Sequence, residues 1–282
     1  MANDGSENDV ILVLGGTGKT GRRVADLLRQ AGQPVRIGSR TAEPPFDWTN
    51  RETWKPALRG VKAAYVAYQP DLAAPGALEI VDAFFRQAID SGVEKLVLLS
   101  GRGEVEAEQA EQALRATAAD WTILRASWFF QNFSEGAFRD SIVAGELALP
   151  PCQAAEPFVD VDDIAEIAFA ALTKAGHSRK LYDITGPRAL TFAEATREIA
   201  QAAGRDIRFG TVQPEDFRAQ LVASGVPAVD ANLVIYLFAT VLDGRNTPVA
   251  DGIQRALGRP PRDFSEFVRR TAATGIWGGN HA

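Results

Sequence analysis

The 282 residues include one cysteine, one methionine and two histidines. Cys152 alone cannot form an internal disulfide, and with His177 and His281 it cannot complete a zinc site. A disulfide scaffold and a histidine–cysteine metalloenzyme are excluded, and no metal is expected. No uninterrupted apolar run approaches the roughly 20 residues that cross a bilayer. The polar, acidic start Met1–Asp9 lacks the basic and apolar regions of a secretory signal. A cytoplasmic protein without a membrane partner is expected. Positive charge is also short, with 30 Lys and Arg against 36 Asp and Glu and a net charge of −6. Nucleic acid is therefore not expected as a partner, because phosphate binding needs clustered positive charge. Lysine is the scarcer cation, with six residues against 24 arginines.

What is present is an ordinary globular balance, 46% hydrophobic and 23% charged, with 25 glycines. In the first half, short apolar runs alternate with amphipathic stretches. Val10–Leu14, Pro34–Gly38, Ala63–Tyr68, Lys95–Ser100 and Trp121–Arg125 read as strands. Ala77–Ser91 and Glu104–Ala119 read as helices. Strands apolar on both faces, alternating with helices, imply a parallel sheet covered on two sides. Farther on, Val161–Lys174 reads as a helix and Lys180–Ile184 as a strand returning to the sheet. Thr191–Ala203 opens with the capping-box spacing Thr191-Phe-Ala-Glu194. Beyond Pro214 helices dominate.

The strongest motif runs from Gly15 to Gly21, after the first strand and opening the first helix. Gly16, Gly18 and Gly21 fit G-x-G-x-x-G, and G-x-x-G-x-x-G reads from Gly15. Such glycines turn the chain tightly, let a pyrophosphate approach the backbone and bring helix against strand. A triphosphate loop is excluded because Val13 stands where its first glycine is required. At the end of the second strand, Ser39 and Arg40 appear with no carboxylate until Glu43. An acid there would bond the ribose hydroxyls of NAD, whereas the planar fork of Arg40 suits the extra phosphate of NADP(H). NADP(H) is the expected cofactor.

With these residues in view, the chain resembles the NmrA-like branch of the atypical short-chain dehydrogenases/reductases over nearly its whole length. Gly15-Gly-Thr-Gly-Lys-Thr-Gly21 matches that family's glycine loop, and Phe46-Asp47-Trp48 resembles its third-strand segment. The run Trp121–Asn132 is similar to its sixth-strand signature. Phe158–Ala165 resembles the segment returning to the sheet, and Pro261–Phe267 its C-terminal helix start. The resemblance implies an α/β fold: a doubly wound Rossmann parallel sheet with a smaller, mostly helical C-terminal substrate-binding part, and the cleft between them. The expected division gives residues 9–150 and about 176–186 to the NADP-binding domain. Residues of about 151–175 and 187–282 supply the interleaved return helix and the smaller part.

The resemblance also implies roles. Gly15, Thr17, Gly18, Lys19, Thr20, Ser39 and Arg40 would bind the cofactor, with Asp47 and Trp48 at the adenine. Tyr68 and Gln69, ending the fourth strand, and Ser100 and Gly101, ending the fifth, would lie beside the nicotinamide. The backbone at Ser127 and Trp128 would hold its carboxamide. Arg102, Trp128, Phe129, Asn132, Phe133 and Phe158 are assigned to the substrate.

One departure stands out. The usual Tyr-x-x-x-Lys pair is absent: four residues after Tyr65, Tyr68, Tyr182 and Tyr236 come Gln69, Leu72, Gly186 and Thr240. No lysine occurs between Lys95 and Lys174. Ser100 is left as the sole side-chain candidate for catalysis. Two readings follow: a reductase that obtains its proton elsewhere, with the substrate's own hydroxyl as source, or a non-catalytic NADP(H) sensor of the NmrA type. An epimerase or dehydratase would retain the tyrosine. The aromatic run Trp128–Phe138 favours the enzyme, acting as a monomer on a ketone or quinone of a polycyclic aromatic compound. A resemblance to ketoreductases of angucyclinone-type aromatic polyketides, and hence a place in antibiotic biosynthesis, is part of that expectation. His177 is expected in a surface loop and His281 at the terminus, neither with a catalytic role.

Overall fold

The computed structural model describes residues 9–278. The chain begins β1 (Val10–Leu14), α1 (Lys19–Gln30), β2 (Val35–Gly38), α2 (Trp54–Leu58) and β3 (Val61–Val66). There follow α3 (Ala77–Asp90), β4 (Lys95–Gly101), α4 (Val105–Arg115), β5 (Asp120–Ala126) and α5 (Ala137–Ala144). Next come β6 (Glu146–Leu149), α6 (Val161–Thr173), β7 (Lys180–Ile184), α7 (Phe192–Ala203) and β8 (Arg208–Thr211). The largely helical C-terminal region holds α8 (Pro214–Ala223), α9 (Ala228–Thr240), α10 (Gly252–Leu257) and α11 (Phe264–Ala272).

Six strands form a Rossmann-like parallel sheet in the order β2-β1-β3-β4-β5-β7. Successive strand residues point to opposite faces, and both faces are buried. Leu12, Leu14, Ala64, Val66, Leu96 and Leu98 join Trp54 of α2, Phe84 and Phe85 of α3 and Leu114 of α4 in one cluster. The alternate residues Ile11, Val13, Tyr65 and Val97 are buried as well. That double burial is why β1 reads as a continuous apolar run. The strand order reverses direction between β1 and β3, and α/β sheets bind ligands outside the carboxyl ends at such a point.

Two contact-defined units divide the chain. Among the described residues the first holds 9–126, 162–184 and 252–259, and the second 127–161, 185–251 and 260–278. This differs from the division expected from sequence, which kept 127–150 with the sheet and gave 151–175 to the other part. Beyond β5 the backbone stops adding to the sheet: Phe130 N–H donates to the Val159 carbonyl and Val159 N–H to the Trp128 carbonyl, at 2.8 and 2.9 Å. β6 pairs with β8 in a separate two-stranded parallel sheet. Meanwhile α6 belongs to the first unit, where Arg259 reaches Asp163 and Glu166 at 2.7 and 2.5 Å.

Two further expectations are corrected. Phe46-Asp47-Trp48 is not a strand; only an isolated bridge, Asp47 to Asn50, forms there. Pro44 and Pro45 offer no N–H to a ladder. Phe46 N–H donates instead to the Ser39 carbonyl at 2.8 Å, and the Asp47 carbonyl accepts the Trp54 indole N–H at 2.8 Å. The fourth, fifth and sixth strands of the expectation are accordingly β3, β4 and β5. His177 is buried, not a surface-loop residue: its Nδ1 lies 2.9 Å from the Tyr182 hydroxyl, and Thr122 donates to its carbonyl at 2.8 Å. His281 lies outside the described residues. Among those residues no helix is long and apolar enough to cross a membrane.

Candidate active site

The carboxyl ends of β1 and β3 meet at the glycine loop. Gly15 has φ +65°, a left-handed conformation that favours glycine, and Gly18 N–H donates to its carbonyl at 2.8 Å. A Cβ on Gly15 would lie 3.2 Å from the Cβ of Ala67, just beyond β3. A Cβ on Gly18 would stand 3.2 Å from the Gly15 carbonyl and 3.4 Å from Nε2 of Gln69. Gly21 packs so closely on Gly15 that any Cβ there would overlap the Gly15 carbonyl. α1 then starts with no side-chain cap and no acid in its first turn. Its positive end is therefore available to an anion. Thr17 is exposed, Gly18 and Lys19 are half-buried, and Thr20 is buried.

At the end of β2, Ser39 is half-buried and Arg40 exposed. Among the described residues Arg40 forms no ion pair. Asp47 accepts from the backbone N–H and hydroxyl of Thr49 at 2.9 and 2.8 Å, and these bonds hold its carboxyl below the usual range. Trp48 packs on Tyr68 with ring centroids 5.0 Å apart. Burial pushes the Tyr68 phenol up, away from easy proton loss. The glycine loop, Ser39, Arg40, Asp47, Trp48, Tyr68 and Gln69 thus occupy one unit, around the ends of β1, β2 and β3.

Ser100 does not offer its hydroxyl to a ligand. It is buried and donates to Glu111 Oε1 at 2.7 Å, and Glu111 in turn takes a two-pronged bond from Arg125 at 2.8 and 2.5 Å. The side chain is part of a structural ion network, which corrects its assignment as the catalytic group. Arg102 is likewise engaged, its Nε 2.9 Å from Asp183.

Two acids that the sequence reading passed over stand on the same edge. Asp71 follows Gln69 by two residues, and Glu104 follows Gly101 by three. Their carboxyls are close enough to act on each other's charge. Glu104 lies so close to Gly101 that a Cβ there would overlap its carboxyl. Burial and the neighbouring Asp71 and Glu106 charges push Glu104 up to about 9, and burial also raises Asp71. The available signal was an acid shortly after each of two neighbouring strand ends.

In the second unit the proposed substrate residues separate into two groups. Phe133 and Phe158 are 0% and 2% exposed, their rings packed on each other and on Phe192 and Phe264. They are core, because each ring is enclosed by other rings. Trp128 and Phe129 are half-buried, Trp128 edge-on to Phe192 and Phe238, and Asn132 is half-buried too. Ser127 is buried, and its hydroxyl has no partner among the described residues. Cys152 donates its thiol to the Leu242 carbonyl at 3.4 Å, a packing position. Among the described residues no group of three or more His, Cys, Asp or Glu could hold a metal.

No family model matches the chain. It is 33% identical over 280 residues to the uncharacterized oxidoreductase YesF of Bacillus subtilis, covering 95% of this chain and 97% of that protein. It is 29% identical over 287 residues to an NAD(P)H azoreductase of Xenophilus azovorans, covering 94% and 98%. Its fold is similar to that of an NADPH-dependent quinone oxidoreductase of Escherichia coli solved with NADPH. The TM-score is 0.74 at 18% identity, covering 93% of this chain and 99% of that one.

Proposed function

Because the chain has a Rossmann-like sheet and belongs to the family of oxidoreductases that includes YesF of Bacillus subtilis, we propose that it is an NADPH-dependent reductase of quinones and ketones on polycyclic aromatic compounds. The observation that carries this reading is the bare glycine loop with Arg40 beside it, exposed and in no ion pair among the described residues. The residues fit the cofactor. The loop at Gly15 and Gly18 leaves its backbone approachable by a pyrophosphate, and the uncapped start of α1 adds a positive field. Ser39 and Arg40 suit the additional phosphate, and Asp47, whose charge Arg40 feels, is itself held by Thr49. Asp47 and Trp48 suit the adenine side, and Tyr68 and Gln69 the nicotinamide side.

When bound, the reduced nicotinamide supplies a hydride. The chain's own work is to bind and orient, with Lys19 and Thr17 at the phosphates and Tyr68 at the ring, all within the first unit. Trp128, Phe129 and Asn132 are the substrate contacts that survive the burial of Phe133 and Phe158. Without a Tyr–Lys pair, a hydroxyl next to the reacting carbonyl of the substrate can share its proton as charge develops there. Aromatic polyketides carry that arrangement, which favours them within the substrate class.

The test is NADPH oxidation with a panel of quinones, azo dyes and hydroxylated aromatic ketones. Turnover of at least one of them is expected. The missing Tyr–Lys pair favours a second reading, a non-catalytic NADP(H) sensor of the NmrA type. Tight NADPH binding with no turnover across the panel would establish that reading instead.

A further inference from the structure

We propose that Asp71 and Glu104 act as one proton-donating acid, which protonates the atom left negative when hydride reaches the acceptor. The proposal rests on the reductase reading above and adds the proton source that reading lacks from the protein.

Placement comes first. β3 and β4 are neighbouring parallel strands in register, Val66 beside Leu98. The acids that follow them therefore emerge on the carboxyl edge of the sheet, where the glycine loop lies. Gln69 ties the two together, since it faces Gly18 and precedes Asp71 by two residues. The second observation is an orphan oxygen. Glu104 is 9% exposed, and its Oε2 is buried without a hydrogen-bond partner among the described residues. A buried polar atom left unpaired is costly and calls for a ligand or a catalytic use. The bare Cα of Gly101 alone makes room for this carboxyl.

Electrostatics keep a proton on the pair. The charged groups acting on it are the two carboxyls themselves and Glu106. Neighbouring cations are engaged elsewhere, Arg102 with Asp183 and Arg125 with Glu111 and Glu108. The start of α4, where Glu104 sits, favours the carboxylate, but burial and like charge outweigh it. Asp71 is anchored by the Ala73 N–H at 2.8 Å. Two carboxyls in this relation hold one proton between them through neutral pH.

The step balances. Hydride from the reduced dinucleotide adds to the acceptor carbon or nitrogen and breaks its π bond. The electron pair moves to the neighbouring oxygen or nitrogen. The acid O–H bond breaks, its proton joins that atom, and the pair is left with one more negative charge. Water then returns a proton to it.

The experiment compares wild type, Glu104→Gln and Asp71→Asn with two quinones: menadione, which has no hydroxyl beside a carbonyl, and juglone, which has one. Glu104→Gln should lower kcat on menadione by about 10²–10⁴-fold, lower it less on juglone, and leave NADPH affinity unchanged. The alkaline fall in kcat near pH about 9 should disappear in that variant. Asp71→Asn should move the fall to lower pH, because it removes the like charge. Infrared titration without cofactor supplies an independent readout. In wild type, and not in Glu104→Gln, a protonated-carboxyl stretch should be lost as pH rises through about 9. An unchanged kcat in Glu104→Gln overturns the proposal. So does a lowered kcat with the wild-type pH profile, which would assign the pair a structural role. If Glu104→Gln does not fold, absence of the titration in wild type overturns it and its presence, with the Asp71→Asn shift, supports it. Failure of wild type to oxidise NADPH with either quinone refutes the reductase reading instead, and the infrared titration is still read separately.

Discussion

In the first unit six parallel strands bury side chains on both faces, and the polar groups that remain gather where the strands end. In the second, rings take the place of the sheet: Phe133 lies within 5.4–6.1 Å, centroid to centroid, of Phe138, Phe158, Phe192 and Phe264. The Trp277 indole N–H closes this cluster by donating to the Phe133 carbonyl at 2.7 Å. An ion triad braces it, Arg188 between Glu198 and Asp263 at 2.7 and 2.8 Å. Strand ends in a parallel sheet leave backbone groups and loops facing outward, so ligand chemistry accumulates there. An aromatic cluster uses its most adhesive side chains on itself. Aromatic content near a supposed site is therefore weak evidence of a ligand, whereas an acid or a bare glycine at a strand end is strong evidence.

That contrast can be broken by substitution. The largest effect is expected for Phe133→Ala, which should cost about 3–5 kcal/mol by urea unfolding, as emptied aromatic core positions do. A loss below about 1 kcal/mol, with a raised KM for the aromatic substrate, would return Phe133 to the substrate side. Asp263→Asn removes a partner of Arg188 and weakens the cap on the Ser265 N–H. About 1–2 kcal/mol is expected at neutral pH, discounted because both partners are about one-third exposed. Arg188 holds the Asp263 carboxyl well below its usual value. Its contribution is therefore complete above the unfolded aspartate value of about 3.9 and fades as pH falls through the lowered one. The difference between wild type and Asp263→Asn should shrink on acidification, and a constant difference would sever it from the ion pair. The smallest effect is expected for Ser100→Ala, about 1 kcal/mol of stability with turnover nearly unchanged, since Glu111 keeps both bonds from Arg125. Abolished turnover in a stable Ser100→Ala protein would put that hydroxyl back in the chemistry.

Much of the first unit was legible because its information is local. The buried run Val10–Leu14, the glycine loop and the return strand Lys180–Ile184 are contiguous in sequence. The capping box at Thr191 and Glu194 is also contiguous, and it forms as its spacing implies. Misreadings arose where a distant partner decides. Phe46–Trp48 resembles a strand, but Pro44, Pro45 and the Trp54 indole commit its backbone elsewhere. His177 looks like a loop residue until Tyr182 and Thr122 are brought to it. Ser100 reads as a free hydroxyl because Glu111 lies eleven residues on, in α4 and not in its own strand. Asp71 and Glu104 are 33 residues apart, and only the pairing of β3 with β4 joins them.

The central claim, that the loop at the switch between β1 and β3 holds NADPH, is tested most directly by the affinities of wild type and Arg40→Ala for NADPH and NADH, read by fluorescence titration. A charge-assisted bond to the extra phosphate contributes about 1.5–3 kcal/mol, or roughly ten- to more than a hundredfold. Arg40→Ala should lose that factor for NADPH and leave NADH binding almost unchanged. Equal losses for both nucleotides, or a wild type that prefers NADH, would contradict the account.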